Sequence, residues 1–453
     1  MSKIDPNFQV SPDRAQAWSA AFGADPKNRL ALNAITKTSA HAVALDRMVL
    51  NRNDHFYSHA LKSNDATSQE HSGRCWLFAG LNLFRVEARK RLNLEKFEFS
   101  QTYPMFWDKL EKSNYFLESV IATAGEPVDG RLVQFLLQSP IQDGGQWDMF
   151  ANLVRKYGVV PKSVMRETES SGNSALMNGR VTTRLREHAA ELRALVARGA
   201  SPAAVQARKA DMLAEIYRML AIHLGEPPRS FHWQWRDKDD VFHRDGELTP
   251  HEFFDKYVAF PLDDFVCLIH CPMEGRAFNQ LFTIGHLGNV AEGDIVRYLN
   301  VDLATFKQAA ADMIVKRSEP VWFGCDVGQR FNRDLGVLDL DVYDYALTYG
   351  VTHTAGKAER LAYAHSMMTH AMVFTGVDID AEGAPTKWRV ENSWGESVGE
   401  KGFMIMTDAW FDEYMYEVLV RKELVPPAAI AALEGAPIVL PPWDPMGSLA
   451  ASS

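Results

Sequence analysis

The chain has 453 residues, of which 46% are hydrophobic and 23% charged, and its formal net charge is −10. This is the composition of a globular protein with room for one large domain with insertions or for two to three domains. The acidic balance argues against a protein that binds nucleic acid nonspecifically, because its charge repels phosphates. No apolar run approaches the ~18 residues of a transmembrane helix, and residues 1–6 lack the apolar core of a signal peptide, so we expect neither.

Helical spacing of apolar residues marks positions 15–22 and 30–50, and a polar stretch follows at 61–74. From 76 to about 94 the chain is first apolar and then charged, without proline, which predicts a helix that buries its first turns. Cys75 stands at the start of this helix, where the helix dipole favours the nucleophilic thiolate. Gln69 lies shortly upstream, so its amide and the backbone N–H of Cys75 are candidates for an oxyanion hole.

A structural role in the core is the alternative for Cys75, because free cysteines are among the most buried residues. The surrounding sequence favours catalysis instead. The signature of papain and cathepsins is C-G-[SA]-C-[WY], and residues 72–76 read S-G-R-C-W, so the glycine, the cysteine and the tryptophan match. We therefore expect Cys75 to be the nucleophile of a cysteine protease.

Two helical regions and a glycine pair follow this segment. Residues 101–120 predict an aromatic-rich helix that packs on the nucleophile helix. Gly144 and Gly145 precede another aromatic helix and allow close approach of a second backbone, although taken alone they fit a plain turn better. Residues 183–198 and 202–224 predict an inserted helical hairpin whose alternating charges are typical of solvated faces.

The remainder of the chain is rich in predicted strands. Apolar or alternating runs predict them at 231–235, 264–270, 321–328, 371–377, 386–392 and 402–407, with a helix at 301–314 and a short one at 428–433.

The four cysteines are Cys75, Cys267, Cys271 and Cys325. A secreted papain-like enzyme has a disulfide cysteine where this chain has Ser72, so we expect this protein to reside in the reducing cytosol. Cys267 and Cys271 flank His270 in a spacing that suggests zinc, but their surroundings are those of a buried strand and no second ligand pair follows. We expect no metal and no organic cofactor.

A cysteine nucleophile needs a base, and the base needs an orienting partner. His370 begins one predicted strand and Asn392 ends the next, so two antiparallel neighbours would place them side by side. The asparagine carbonyl can then hold one imidazole nitrogen while the other faces sulfur. Trp394 would cover this hydrogen bond from water. A single histidine is more often structural, but the order Gln, Cys, His, Asn-Ser-Trp-Gly fills each role in turn.

On these residues the chain resembles the papain superfamily, and specifically the family of bleomycin hydrolase and aminopeptidase C. The stretches 103–111, 321–328, 357–361, 369–372 and 443–450 carry the same resemblance, which spans about residues 30 to 450. It implies an α+β, papain-like fold with a helical half, a β-barrel-like half, a large helical insertion and a C-terminal arm. The implied units are an N-terminal extension at 1–60, the helical half at 61–180, the insertion at 181–318, the strand-rich half at 319–425 and the arm at 426–453.

The resemblance also implies a role for each candidate residue. Cys75 is the nucleophile, His370 the general base and acid, Asn392 the residue that orients His370, and Gln69 the residue that stabilises the oxyanion. Gly144 and Gly145 correspond to positions that bind the substrate backbone, and Trp394 and Ala450 complete the substrate site.

Family members form homohexamers whose active sites face a central cavity, with the C-terminal arm in the substrate cleft. A carboxylate at the end of the arm pairs with the free α-amine of a peptide and blocks longer chains, which makes the enzyme an aminopeptidase. This chain departs from the pattern because it continues past Ala450 with residues 451–453.

The predicted function is therefore that of a cytosolic cysteine aminopeptidase, which hydrolyses peptides and peptide-like amides through a thioester. Its partners are peptide substrates and further copies of the chain, with no membrane and no nucleic acid. An endopeptidase or a carboxypeptidase-like enzyme is the alternative if the arm is displaced. A nucleic-acid-binding or scaffold protein on this fold is the alternative from another class.

Overall fold

The computed structural model describes residues 9–62 and 65–448. The helices are α1 Pro12–Ala24, α2 Pro26–Ile35, α3 Ala40–Ala44, α4 Arg47–Arg52, α5 Cys75–Leu92, α6 Thr102–Ala122, α7 Arg131–Gln138, α8 Trp147–Tyr157, α9 Glu169–Gly172, α10 Ala175–Ala197, α11 Pro202–Leu224, α12 Pro250–Tyr257, α13 Leu303–Arg317, α14 Tyr345–Tyr349, α15 Lys357–Ala362, α16 Asp408–Tyr414 and α17 Pro427–Ile430. The strands are β1 His59–Ala60, β2 Phe231–Arg236, β3 Phe242–Leu248, β4 Phe265–Ile269, β5 Gln280–Ile284, β6 Tyr298–Asn300, β7 Val321–Cys325, β8 Phe331–Asn332, β9 Val337–Leu338, β10 His370–Ile379, β11 Pro385–Glu391, β12 Phe403–Thr407, β13 Met415–Arg421 and β14 Ile438–Leu440.

Helix α5 forms where the apolar run predicts it and buries its first turns completely. It ends at Asn93, which takes the left-handed conformation with φ +54°, and three basic residues complement the dipole of its last turn. Gly80 lets α8 approach, because an added Cβ would lie 2.6 Å from the Phe150 ring. The predicted helix at 101–120 is α6, which packs against α8 and against both helices of the inserted hairpin.

The strands form one mixed sheet and a separate hairpin of β2 and β3. The sheet has twelve strands in the order β14–β5–β6–β4–β13–β7–β10–β11–β12–β9–β8, with β1 on β10. Strands β10 and β11 are antiparallel neighbours, with Val373 opposite Glu391, as the sequence predicts. Helices predominate up to Leu224 and strands predominate after it, so the predicted α+β class is confirmed.

The sheet and the helical half share one hydrophobic core. Trp322 on β7 donates its indole N–H to the carbonyl oxygen of Trp76 at 3.3 Å, and its ring lies 6.3 Å from that of Trp147. Both α5 and α8 therefore rest on the middle of the sheet, and the cleft between the two halves opens beside this contact.

The inserted hairpin consists of α10 and α11, with Ser201 capping the second helix. Strands β4, β5 and β6, although they lie between residues 181 and 318, belong to the main sheet. The proposed division of the chain into five units stays a prediction. Among the described residues, no helix combines the length and the apolar character that a bilayer span requires.

Candidate active site

Cys75 is the first residue of α5 and its side chain is 2% exposed. Its Sγ accepts a hydrogen bond from the backbone N–H of Ala371 at 3.5 Å. This contact joins the start of the nucleophile helix directly to β10, the strand that carries His370. The cleft between the two halves therefore brings together residues that are far apart in sequence.

The protonation state of Cys75 differs from what the helix dipole alone predicts. Burial raises the pKa of the thiol to about 11, although N–H groups of Ala371 and Trp76 favour the thiolate. Desolvation of the charged form thus outweighs the position at the helix start. In this closed cleft burial therefore favours the thiol form of Cys75 over the thiolate.

His370 lines the same cavity as Cys75, and Asn392 holds its ring. The Nε2 of His370 lies 2.9 Å from the Oδ1 of Asn392, which can only accept, so Nε2 carries the hydrogen. The Nδ1 of the neutral ring is then free to accept a proton. Burial lowers the pKa of His370 to about 4, opposed by the bond to Asn392. The ring of Trp394 lies 4.8 Å from that of His370.

Gln69 stands six residues before Cys75 in the chain and is 6% exposed. Its Oε1 accepts from the hydroxyl of Ser393 at 2.7 Å, and its Nε2 donates to the carbonyl oxygen of Ser72 at 2.5 Å. The amide is therefore held on both sides and retains one N–H. That N–H could donate to an oxyanion. Gln69 itself is not among the residues that line the cavity next to Cys75.

One residue of the glycine pair lines the same cavity as His370. Gly145 lines the cavity with Cys75, and an added Cβ at Gly145 would lie 2.6 Å from the Trp76 ring. The carbonyl oxygen of Gly144 accepts from the Nζ of Lys112 at 2.6 Å. Close packing on a tryptophan therefore requires glycine at position 145, which the turn interpretation alone does not explain.

A buried charge network supports this segment, and the sequence interpretation missed it. Asp143 accepts from Lys109 at 2.6 Å, from Asn178 at 2.7 Å and from the backbone N–H of Gly73 at 2.9 Å. Burial opposes ionisation, but the Lys109 ammonium and the hydrogen bonds from Lys109, Ser174 and the Gly73 N–H together lower the pKa of Asp143 below its usual range. The network joins the glycine segment to the loop before Cys75.

A signal for this network is present in the sequence. Lys109 and Lys112 are one helical turn apart in the aromatic-rich run that forms α6, where an apolar face is expected, and both are buried. Buried lysines require partners, and Asp143 stands directly before the glycine pair.

The end of the described chain lies in the same cavity. Ser448 lines it together with Cys75, and the Oγ of Ser448 donates to the carbonyl oxygen of Met368. Gln146 donates from Nε2 to the carbonyl oxygen of Ser448 at 3.0 Å. Ala450, the predicted end of the substrate site, lies outside the described residues.

Cys267 lies on β4, the buried strand that the sequence favours, and His270 and Cys271 lie just beyond its end. The Nδ1 of His270 lies 3.0 Å from the carbonyl oxygen of Val301. Within residues 9–62 and 65–448, no group of three or more His, Cys, Asp or Glu side chains is arranged to hold a metal ion.

Comparisons with known proteins identify a family and several relatives. The sequence model of the Peptidase C1-like family matches residues 9–447. Aminopeptidase C of Streptococcus thermophilus is 46% identical, over 97% of this chain and 99% of that protein. Human bleomycin hydrolase is 44% identical, over 97% of this chain and 99% of that protein. The crystal structure of PepW from Lactobacillus rhamnosis HN001 superposes with a TM-score of 0.96 at 45% identity, covering 98% of this chain and all of that one.

Proposed function

The chain belongs to the Peptidase C1-like family, and on this premise we propose that it is a cysteine aminopeptidase that releases residues from the N-terminus of peptides. Bleomycin-hydrolase-like amides are a second substrate class. The observation that carries the proposal is one cavity lined by Cys75 at a helix start, His370 held by Asn392, and Ser448 near the end of the chain. Membership in the family confirms the resemblance and the papain-like fold.

The proposed reaction begins with proton transfer. Nδ1 of His370 accepts the proton of Cys75 while the sulfur attacks the scissile carbonyl carbon. Asn392 keeps the imidazole oriented and stabilises the imidazolium that forms. The imidazolium then gives its proton to the leaving amine as the C–N bond breaks, and a thioester remains. His370 next takes a proton from water, which attacks the thioester and releases the acid and the thiol.

The oxyanion formed in each step needs donors. The backbone N–H of Cys75 and the remaining N–H of Gln69 are the groups that we assign to this role. Because Ser393 and Ser72 already hold both ends of the Gln69 amide, the donor is oriented before substrate arrives.

Gly144 and Gly145 are assigned to the substrate backbone and Trp394 to the shield over His370. Lys112 supports the glycine segment from beneath, since it donates to the carbonyl oxygen of Gly144 at 2.6 Å. An extended peptide can therefore lie along this segment with its scissile bond at Cys75.

The C-terminal segment supports exopeptidase action. Ser448 closes one side of the cavity, and Ala450 follows it, so we propose that a carboxylate at or near Ala450 receives the substrate α-amine. An endopeptidase or carboxypeptidase-like activity is the second candidate, and it requires that this segment leave the cleft.

A reducing location and self-assembly complete the proposal. All four cysteines are free and buried, which favours the cytosol over an oxidising compartment. Helices α1 and α2 bury none of their residues, and Trp18 and Leu30 are 56% and 72% exposed. Exposed apolar side chains on paired helices favour a covered face in a homohexamer.

The test of activity uses a free-amine aminoacyl anilide, its N-acetylated twin and an internally quenched peptide. We expect wild type to cleave the free-amine substrate, iodoacetamide to block it, and Cys75→Ala to abolish it without loss of fold. Equal cleavage of both anilides would support the endopeptidase instead. A gel-shift experiment at moderate salt tests the nucleic-acid-binding alternative. A shifted nucleic-acid band from a protein without peptidase activity would contradict the proposal that the protein is an enzyme.

The test of assembly is gel filtration against the chain mass of 50.9 kDa. We expect wild type to elute near six chains and Trp18→Glu to elute as a smaller species. Val241→Glu, at an exposed apolar residue in the turn between β2 and β3, is the matched control. A wild type that elutes as a monomer with full activity would contradict the homohexamer.

A further inference from the structure

Residues 438–448 are the stretch of the C-terminal arm that reaches the active site, and this stretch is called the arm below. It starts as β14, which pairs in parallel with β5 at the edge of the sheet, with Leu440 opposite Ile284. The backbone N–H of Gly285 donates to the carbonyl oxygen of Leu440 at 2.9 Å. After Leu440 the arm leaves the sheet and crosses to the cavity that contains Cys75. Its path between these two points depends on side-chain contacts.

One ion pair holds the middle of this crossing. The Nη2 of Arg276 lies 2.5 Å from the Oδ2 of Asp444, whose side chain is 2% exposed. The other carboxylate oxygen of Asp444 accepts from the backbone N–H of Met446 at 3.0 Å. Asp444 therefore does two things at once: it sets the short turn Pro445–Gly447 and attaches that turn to the body of the protein.

Arg276 is itself mounted on a rigid loop. The buried side chain of Asn300 accepts from the N–H of Cys271 at 2.9 Å and donates to the carbonyl oxygen of Arg276 at 3.0 Å. The Arg276 guanidinium also lies 5.8 Å above the ring of Phe282, on the strand that pairs with β14. A cation held by its own backbone and by an aromatic ring loses little freedom when it pairs with Asp444.

The residues after the ion pair fit tightly. An added Cβ at Gly447 would lie 2.7 Å from Cγ2 of Ile284, and Met446 is fully buried. Ser448 then meets Gln146 and Met368 in the cavity. A shift of the arm at Asp444 therefore moves Ser448 relative to Cys75.

We propose that Arg276 is a positioning residue that determines specificity: its ion pair with Asp444 sets the register of the arm over Cys75. The consequence for free-amine preference rests on the proposed aminopeptidase function. With the pair intact, Ser448 stands at a constant distance from Cys75. Without it, the arm slides or lifts, and blocked N-termini and internal bonds gain access. Arg276 takes no part in the reaction and acts through the arm alone.

The test replaces Arg276 by Met, which keeps the apolar contact with Phe282 and removes the charge. Asp444→Asn is the second variant, because its amide oxygen can still cap Met446. Arg208→Met is the matched control, since Arg208 forms an ion pair of similar geometry with Glu191 in the inserted hairpin, at 2.7 Å. Two quantities are measured: the ratio of kcat/KM for the free-amine anilide and its N-acetylated twin, and the rate at which iodoacetamide alkylates Cys75, followed by peptide mass spectrometry.

We expect both arm variants to lower the free-amine preference by roughly 10-fold or more, because a charge-assisted hydrogen bond is lost, and to speed alkylation of Cys75 by a similar factor. Arg276→Lys should restore part of both quantities. The double variant should behave like either single one, because the two residues act through one contact.

Arm variants that match Arg208→Met in both quantities within about twofold would overturn the proposal. The alkylation rate decides this even if the proposed aminopeptidase activity fails, since it reports access to Cys75 without any substrate. Equal cleavage of the two anilides by wild type would count against the aminopeptidase alone. If Arg276→Met does not fold, the same two measurements on Asp444→Asn decide the question.

Discussion

Glu417 is a buried carboxyl group whose removal should stabilise the protein. It lies on β13 between Ile269 and Gly324, and its side chain is fully buried. Within the described part of the chain, neither carboxylate oxygen has a nitrogen or oxygen hydrogen-bond partner, and the Cys267 thiol is the neighbouring group that favours the ionised form. Burial raises the pKa of Glu417 to about 8, the Cys267 thiol opposes this, and the nearby Asp148 carboxylate adds to it.

The magnitude follows from linkage between proton binding and folding. An exposed glutamate has an ordinary pKa of 4.5, so between pH 4.5 and 8 the folded protein keeps a proton that the unfolded chain has lost. Wild type therefore loses stability as pH rises through this window, by about 1.4 kcal/mol per pH unit. The total is roughly 3–5 kcal/mol by pH 8. Glutamine has the same shape and no proton to lose, so Glu417→Gln escapes this loss.

The assay is thermal unfolding of both proteins at pH 5, 6, 7 and 8. An unfolding entropy of about 2.1 cal/mol/K per residue gives roughly 1 kcal/mol/K for 453 residues. The variant should therefore melt within about 1 °C of wild type at pH 5 and about 3–5 °C above it at pH 8. Glu382→Gln, on an exposed turn, is the matched control and should show a constant difference. A constant difference for Glu417→Gln as well would refute the reasoning, because it would mean that the carboxylate is ionised and paired in the fold.

Three further predictions concern the active site. Asn392→Ala should lower kcat by roughly 10-fold and His370→Ala by roughly 10³-fold or more, because Asn392 only orients the base. Steady-state kinetics measure both effects, and a larger loss of kcat for Asn392→Ala than for His370→Ala would contradict these roles. Lys112→Met should raise KM by about 10-fold with a smaller change in kcat, because Lys112 supports the carbonyl groups of the glycine segment and does not touch sulfur. An unchanged KM with a reduced kcat would argue against this supporting role of Lys112. Intact mass should show that wild type loses a few residues after 448 while Cys75→Ala keeps them, and identical masses would exclude self-trimming.

Local sequence determined the elements with strong, continuous patterns. The run at 76–94 is apolar, then basic, and contains no proline, so α5 forms at Cys75–Leu92 as expected. The first inserted helix was predicted to begin at 183 but begins at Ala175. Residues 175–182 include Gly179, which disfavours a helix by about 1 kcal/mol relative to alanine. Burial of Met177 and Val181 in the shared core compensates for this, and burial depends on tertiary contacts.

The candidate catalytic residues were also accessible from sequence, because each role demands a particular residue type in a particular chain order. Cys75, His370 and Asn392 could be named before their positions in space were known. Their meeting depends on strand register: β10 pairs with β7 on one side and β11 on the other, which puts His370 beside Asn392 and Ala371 against the sulfur.

Only the tertiary structure decided the energetics of the site. The helix start favours a thiolate at Cys75, but burial from both halves of the protein raises its pKa to about 11. The ion pair of Arg276 with Asp444 and the isolation of Glu417 have no local signature either. Each depends on what lies across from a side chain in space, because desolvation and charge pairing are set by neighbours that the chain brings together over long distances in sequence.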